Sequence, residues 1–160
     1  MGSSARRGIA EWLLACCGVW LVGLGLYFVF LRPALLPEDI RFVGSQPAVL
    51  QAAAPRLEKW LGFVFTVMGG FMAGTGVLVV HFALVLMPRR PPGAMPALVL
   101  AGTMTVGLMS AINFALQSDF RWLLLAPPLV WAAAVIAYVP RARHSQATGS
   151  SPARWPIWRR

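Results

Sequence analysis

Residues 60–88 read WLGFVFTVMGGFMAGTGVLVVHFALVLMP, 29 positions without one Asp, Glu, Lys or Arg. At a rise of ~1.5 Å per residue a helix of that length exceeds the ~30 Å hydrocarbon core of a bilayer. Backbone in that phase must satisfy its own hydrogen bonds, which leaves only helices and closed barrels. A barrel strand would alternate polar and apolar residues, and residues 62–80 do not, so the run reads as a membrane helix. Residues 12–31, 91–118 and 122–140 are three more runs without a charged residue. Across all 160 residues, 58% are hydrophobic and 12% charged, against about 45–50% and about 25% in soluble domains. A soluble globule is excluded on that balance. The predicted fold class is all-α, a polytopic membrane protein with a four-transmembrane-helix bundle. Its spans are expected at about 10–31, 59–87, 95–117 and 121–139, with a short helical outer loop over 32–58. Residues 1–140 form the transmembrane domain, and 141–160 a flexible, basic cytoplasmic tail.

The bases set the orientation. Arg6, Arg7, Arg89, Arg90, Arg141, Arg143, Arg154, Arg159 and Arg160 fall on one side, and Arg32, Arg41, Arg56, Lys59 and Arg121 on the other. The positive-inside rule then predicts both termini to be cytoplasmic. The net charge of +9 points to lipid rather than nucleic acid. In the tail five Arg alternate with Trp155 and Trp158, and each base near an anionic leaflet contributes ~1 kcal/mol of attraction. Anionic lipid is therefore the expected partner of the tail, and no nucleic acid is expected.

Small residues should let the helices approach closely. Gly62, Thr66, Gly69, Ala73 and Gly76 recur at alternating intervals of four and three, and Gly70 with Gly74 forms a GxxxG on their flank. A small face this broad predicts that the second span has two neighbours and sits centrally. Ala15, Gly18 and Gly25 of the first span form the matching stripe. The alternative use of Gly70 and Gly74 is a seam between two copies of the chain. Pro127-Pro128 is expected to kink the fourth span. Cys16 and Cys17 are adjacent and have no further cysteine to join them, so they read as small helix residues rather than a redox or metal set.

Three polar groupings remain. Glu11 and His81 are an ionisable pair expected in or near the bilayer, with His81 seven residues after Gly74 and so on the face of the GxxxG. Such groups are candidates for proton or cation handling, set against an interfacial acid and a neutral core histidine. Thr103, Ser110, Asn113 and Gln117 share about a third of the third helix at 100° per residue, as helix glue or the lining of a small cavity. Glu38, Asp39, Arg41, Asp119 and Arg121 are predicted to form an outer ion-pair lattice over the bundle mouth, with Arg41–Asp119 and Glu38/Asp39–Arg121 as its pairs. No Ser–His–Asp set, paired carboxylates or phosphate-cradling loop is present. No catalytic residue, cofactor or metal is expected.

Leu35-Leu36-Pro37-Glu38-Asp39-Ile40-Arg41-Phe42, Asn113-Phe114 and Ser118-Asp119-Phe120-Arg121-Trp122 resemble a family of small, uncharacterised bacterial four-helix integral membrane proteins. The architecture is more distantly similar to DoxX-like proteins. The resemblance implies the four-helix fold and a bacterial inner-membrane location, and carries no activity with it. Thirteen Arg against one Lys fits a high-GC bacterial gene. The expected function is a non-catalytic, structural or accessory membrane protein whose partner is lipid, another membrane protein or a second copy. The alternative is a small carrier for a proton-coupled or lipophilic solute, using Glu11, His81 and the polar stripe.

Overall fold

The structure, a computed structural model, describes residues 8–147, with side chains as far as Val139. Among the described residues all regular structure is helical. Helix α1 (Ile9–Phe30) leads to two short helices, α2 (Pro37–Val43) and α3 (Pro47–Ala53). Both short helices begin with proline, whose fixed φ and missing N–H suit the first helical position. Helix α4 (Leu57–His81) continues through a π turn, Phe82–Leu86, and a 3₁₀ turn, Met87–Arg89. Pro88 cannot donate to the ladder and crowds the preceding turn, which accounts for the change of helical form there.

The third apolar run comprises α5 (Ala94–Gly102), a π turn (Thr103–Gly107) and α6 (Leu108–Ala115). At this π turn side chains compete for helix carbonyls. Thr103 Oγ1 donates to Val99 O at 2.9 Å, Thr105 Oγ1 to Ala101 O at 2.6 Å, and the Trp131 indole to Leu98 O at 3.0 Å. Side-chain donors of this kind loosen the ordinary i→i−4 pairing. Helix α7 (Ala126–Ala147) closes the fold.

Three of these helical stretches are long and apolar enough to cross a membrane: Ile9–Phe30, Leu57–Arg89 and Ala94–Ala115. The fourth is shorter. Residues 121–125 form turns instead of the start of the expected span, and the apolar part of α7 is confined to Ala126–Val139. Those residues reach only ~21 Å at ~1.5 Å each. Pro127 and Pro128 lie in the first turn of α7, so they start that helix and do not kink it. At its other end α7 carries on to Ala147, making residues 141–147 of the basic tail helical. The rest of the tail, with Trp155 and Trp158, lies outside the described residues.

The central helix is α1, not the second span. It packs along α4 on one side and α7 on the other, and α5 with its π turn packs against α7. The buried face of α1, with Leu14, Ala15, Cys17, Gly18, Leu21 and Gly25, serves both neighbours. Toward α4, Gly18 meets Gly76 and Gly25 meets Gly69 in an antiparallel crossing. A Cβ on Gly69 would stand 2.6 Å from Gly25 O. Toward α7, Cys17 Sγ lies 3.5 Å from Pro127 O.

Gly62, Gly70 and Gly74 take no part in this crossing; an added Cβ would meet nothing within 4 Å at any of them. At 100° per residue Gly70 and Gly74 are turned away from the Gly69–Ala73–Gly76 line. One neighbour covers that line, and the flank is left facing outward.

Candidate functional site

The cluster that joins distant parts of the chain lies at the end of the bundle carrying α2, α3 and the 118–125 turns. It begins with how α6 stops. Ser118 N–H donates to Asn113 O at 2.9 Å and Gln117 N–H to Phe114 O at 3.1 Å, with Gln117 left-handed at φ 51°. This is a Schellman ending with glutamine in the place usually held by glycine. Gln117 is therefore a helix terminator exposed at the surface, not a member of an inward polar stripe.

The turn so produced presents a buried serine to α2. Ser118 is 1% exposed, and its hydroxyl donates to the Glu38 carboxylate at 3.0 and 3.1 Å. Asp119 N–H donates to Glu38 Oε2 at 2.8 Å, and Phe120 N–H to Ser118 Oγ at 3.2 Å. One carboxylate thus satisfies the donors of a turn some eighty residues away in sequence. Phe114 stacks edge-on against Trp122 at 5.2 Å and holds the same turn against α6.

Asp39, beside Glu38, performs a different task. Its Oδ2 accepts from Leu36 N–H at 2.8 Å, at the start of α2, and from Arg32 Nη2 at 3.3 Å. The Arg32 side chain is 8% exposed. Its guanidinium carbon lies 3.5 Å from the Phe65 ring centroid and 5.1 Å from that of Phe28, so a cation–π box ties α1, α2 and α4 together. Arg32 was outside the predicted lattice. Its signal in the sequence was Phe28, one turn earlier in the chain, although Arg32 itself lies just past the end of α1.

Of the predicted pairs, Arg41–Asp119 is present at 2.7 Å, with both side chains 62% exposed. Its hydrogen bond and the charge of Asp119 hold the Arg41 guanidinium further above its ordinary pKa. Such an exposed pair contributes little to stability. The expected Glu38/Asp39–Arg121 pairing is corrected: Glu38 holds the Ser118 turn, Asp39 takes Arg32, and Arg121 Nη1 reaches Ser118 O at 3.5 Å. The closed lattice is thus a buried clamp with one surface pair beside it.

The other predicted groupings are divided. Glu11 is buried in the first turn of α1, while His81 is exposed. His81 does share the side of Gly74, but that side faces outward. In the stripe, Ser110 is buried and Asn113 half-buried, whereas Thr103 is exposed. The π turn accounts for the split, because i→i+5 pairing shifts the rotation between Thr103 and Ser110 and a count at 100° per residue fails across it. Asn113 Nδ2 donates to Met109 O at 2.9 Å, within its own helix.

Between α1, α6 and the 118–124 segment lies a cleft of about 390 Å³. Cys17 meets the first turn of α7, so α7 begins only part-way along α1 and turns take its place beyond. Trp20, Leu24, Tyr27 and Phe28 line the cleft from α1, Met109 and Asn113 from α6, and Leu123 and Leu124 from the turns. Arg32, Glu38 and Ser118 stand at its clamp end. Neither Glu11 nor His81 lines it. Among the described residues no three His, Cys, Asp or Glu side chains come together as a metal set. No family model, curated protein or solved structure matches the chain.

Proposed function

We propose that this chain is a non-catalytic integral membrane protein of the bacterial inner membrane, with an accessory role exercised through contact with another membrane protein or a second copy of itself. One observation carries the reading: α4 buries Gly69 and Gly76 against α1 while Gly70 and Gly74 face outward with open space above them. Such a pair lets a second backbone approach closely where no hydrophobic force drives association. Both termini are assigned to the cytoplasm on the distribution of arginines, which requires α7 to cross as well, its shorter apolar part being accommodated by local thinning of the bilayer and by the arginines that follow it; the basic tail is assigned to the anionic leaflet.

The test is cysteine cross-linking in native membranes at Gly70→Cys and Gly74→Cys, with Cys16 and Cys17 replaced. Efficient cross-linking to a discrete species at these positions, and not at Gly23→Cys, supports the reading. Cross-linking no greater than at Gly23, another open position, rejects it. The carrier alternative calls for a polar route from Asn113 to His81, and the exposure of His81 away from the cleft weighs against it.

A further inference from the structure

The loop-end cleft has a use independent of the contact face on α4. We propose that it binds one long alkyl or acyl chain carrying an uncharged head group that donates hydrogen bonds, such as a long-chain alcohol or a monoacylglycerol.

Three features support this occupant. The first is form: about 390 Å³ lies within the ~300–1,000 Å³ of small-molecule sites, which pair apolar walls with a few placed polar groups. The second is the surrounding phase. The cleft lies beside helical stretches long and apolar enough to cross a membrane, and Val19, Leu26, Leu108 and Ile112 on them face outward. The molecules that meet its mouth are therefore lipids.

The third is the charge at the polar end. Arg32 is taken by Asp39 and two phenylalanine rings, and Glu38 by Ser118 and Asp119 N–H. A charged head of either sign would meet a guanidinium already neutralised by Asp39 or a carboxylate already hydrogen-bonded, and would gain little in return for its own desolvation. An uncharged head sheds less water on entry. Asn113, which lines the cleft, spends one of its two amide N–H groups on Met109 O, which leaves its side-chain oxygen and the second N–H for a head group. A hydroxyl or an amide can satisfy both; an ether or ester alone takes the N–H and leaves the oxygen unpaired.

Purified protein in nanodiscs is to be labelled with a photoreactive C16 alcohol and, separately, with an alkyl sulfonate of the same length. The alcohol is expected to mark peptides containing residues 20–28 and 109–124 several-fold above the outward face of α4, and an excess of unlabelled monoacylglycerol should compete. Met109→Trp fills the cleft and should remove most of this labelling, while Leu100→Trp on the exposed face of α5 should leave it unchanged. Asn113→Leu should lower labelling by the alcohol but not by a plain alkane probe. Even labelling over all apolar helices overturns the proposal, as does equal labelling by the sulfonate. If Met109→Trp does not fold, competition on the unmodified protein decides the matter, and failure of monoacylglycerol to compete is the adverse result.

Discussion

Gly18 and Gly76 meet across the α1–α4 crossing so closely that a Cβ on Gly18 would stand 2.8 Å from Gly76 O, and one on Gly76 would stand 2.6 Å from Gly18 O. Gly25 and Gly69 repeat the arrangement seven residues further along each helix. Backbone atoms oppose an added atom at all four positions, with side chains such as Val80 and Val22 beside them, so the two helices would have to separate. Gly76→Ala and Gly25→Ala are expected to cost about 1–3 kcal/mol as overpacking substitutions, read as lower thermal midpoints in detergent. Gly70→Ala and Gly74→Ala meet open space and replace glycine by a better helix former, so the monomer should gain up to ~1 kcal/mol. Equal losses at all four positions would place the seam elsewhere.

The two arginine pairs at the loop end should behave oppositely. Arg32 is buried among Phe28, Phe65 and Asp39, and Arg32→Met leaves Asp39 with an uncompensated charge on a half-buried site. A loss of roughly 2–3 kcal/mol is expected, somewhat under the ~3–5 of a fully buried pair because Asp39 retains access to water. Arg41→Met should barely move the melting curve, both members of its pair being mostly exposed. A larger effect at Arg41 would show that the surface pair, and not the buried clamp, holds the loop.

Glu38 and Ser118 are directly bonded, and their energies should not add. Glu38→Gln and Ser118→Ala, singly and together, should give a coupling of about 0.5–3 kcal/mol in a double-mutant cycle. The same substitutions should raise the accessibility of a cysteine at Leu124, since the 118–124 turn then loses its hold on α2. Additive effects would mean that the carboxylate acts through Asp119 N–H alone.

How far the sequence led can be followed residue by residue. Charge-free runs located the three long helices because the solvent imposes length and hydropathy directly. The Gly69–Ala73–Gly76 line was legible from its spacing, but which of two adjacent glycine stripes faces inward depends on how many neighbours α4 has, and no local pattern records that. The Arg41–Asp119 pair was within reach because each loop offers few charges. Arg32 was not, since its partner shell of Phe28, Phe65 and Asp39 comes from three helices. The start of the fourth helix was missed for a physical reason: Trp122–Leu125 is apolar yet lies in turns, and Pro127-Pro128 favours starting a helix over passing through one. The π turn at Thr103–Gly107 likewise broke the stripe by altering the rotation on which it was counted.

Orientation is checked by impermeant thiol labelling of intact cells, with Cys16 and Cys17 replaced. Ser45, between α2 and α3, and Pro92, in the connection before α5, lie in links at opposite ends of the long helices. With both termini in the cytoplasm, Ser45→Cys should be labelled from outside and Pro92→Cys only after the cells are opened. The reverse pattern would invert the assignment without altering the fold.

The end of α6 offers the last test, because Gln117 holds a left-handed conformation, φ 51°, that costs an ordinary L-residue roughly 1–2 kcal/mol. Glycine adopts it without that penalty but loses more entropy on folding, by roughly 0.5–1 kcal/mol. The side chain of Gln117 is exposed, so little packing is given up. Gln117→Gly should therefore stabilise the protein by up to ~1 kcal/mol, and Gln117→Val should destabilise it, a β-branched residue being poorly suited to positive φ. Both changes act through the Ser118 N–H to Asn113 O bond that ends the helix. Amide exchange at Ser118 should accordingly slow with glycine and quicken with valine. If Gln117→Gly lowers stability while Gln117→Val is neutral, Gln117 is not a helix terminator, and the turn that brings Ser118 to Glu38 must be fixed by the Phe114–Trp122 contact instead.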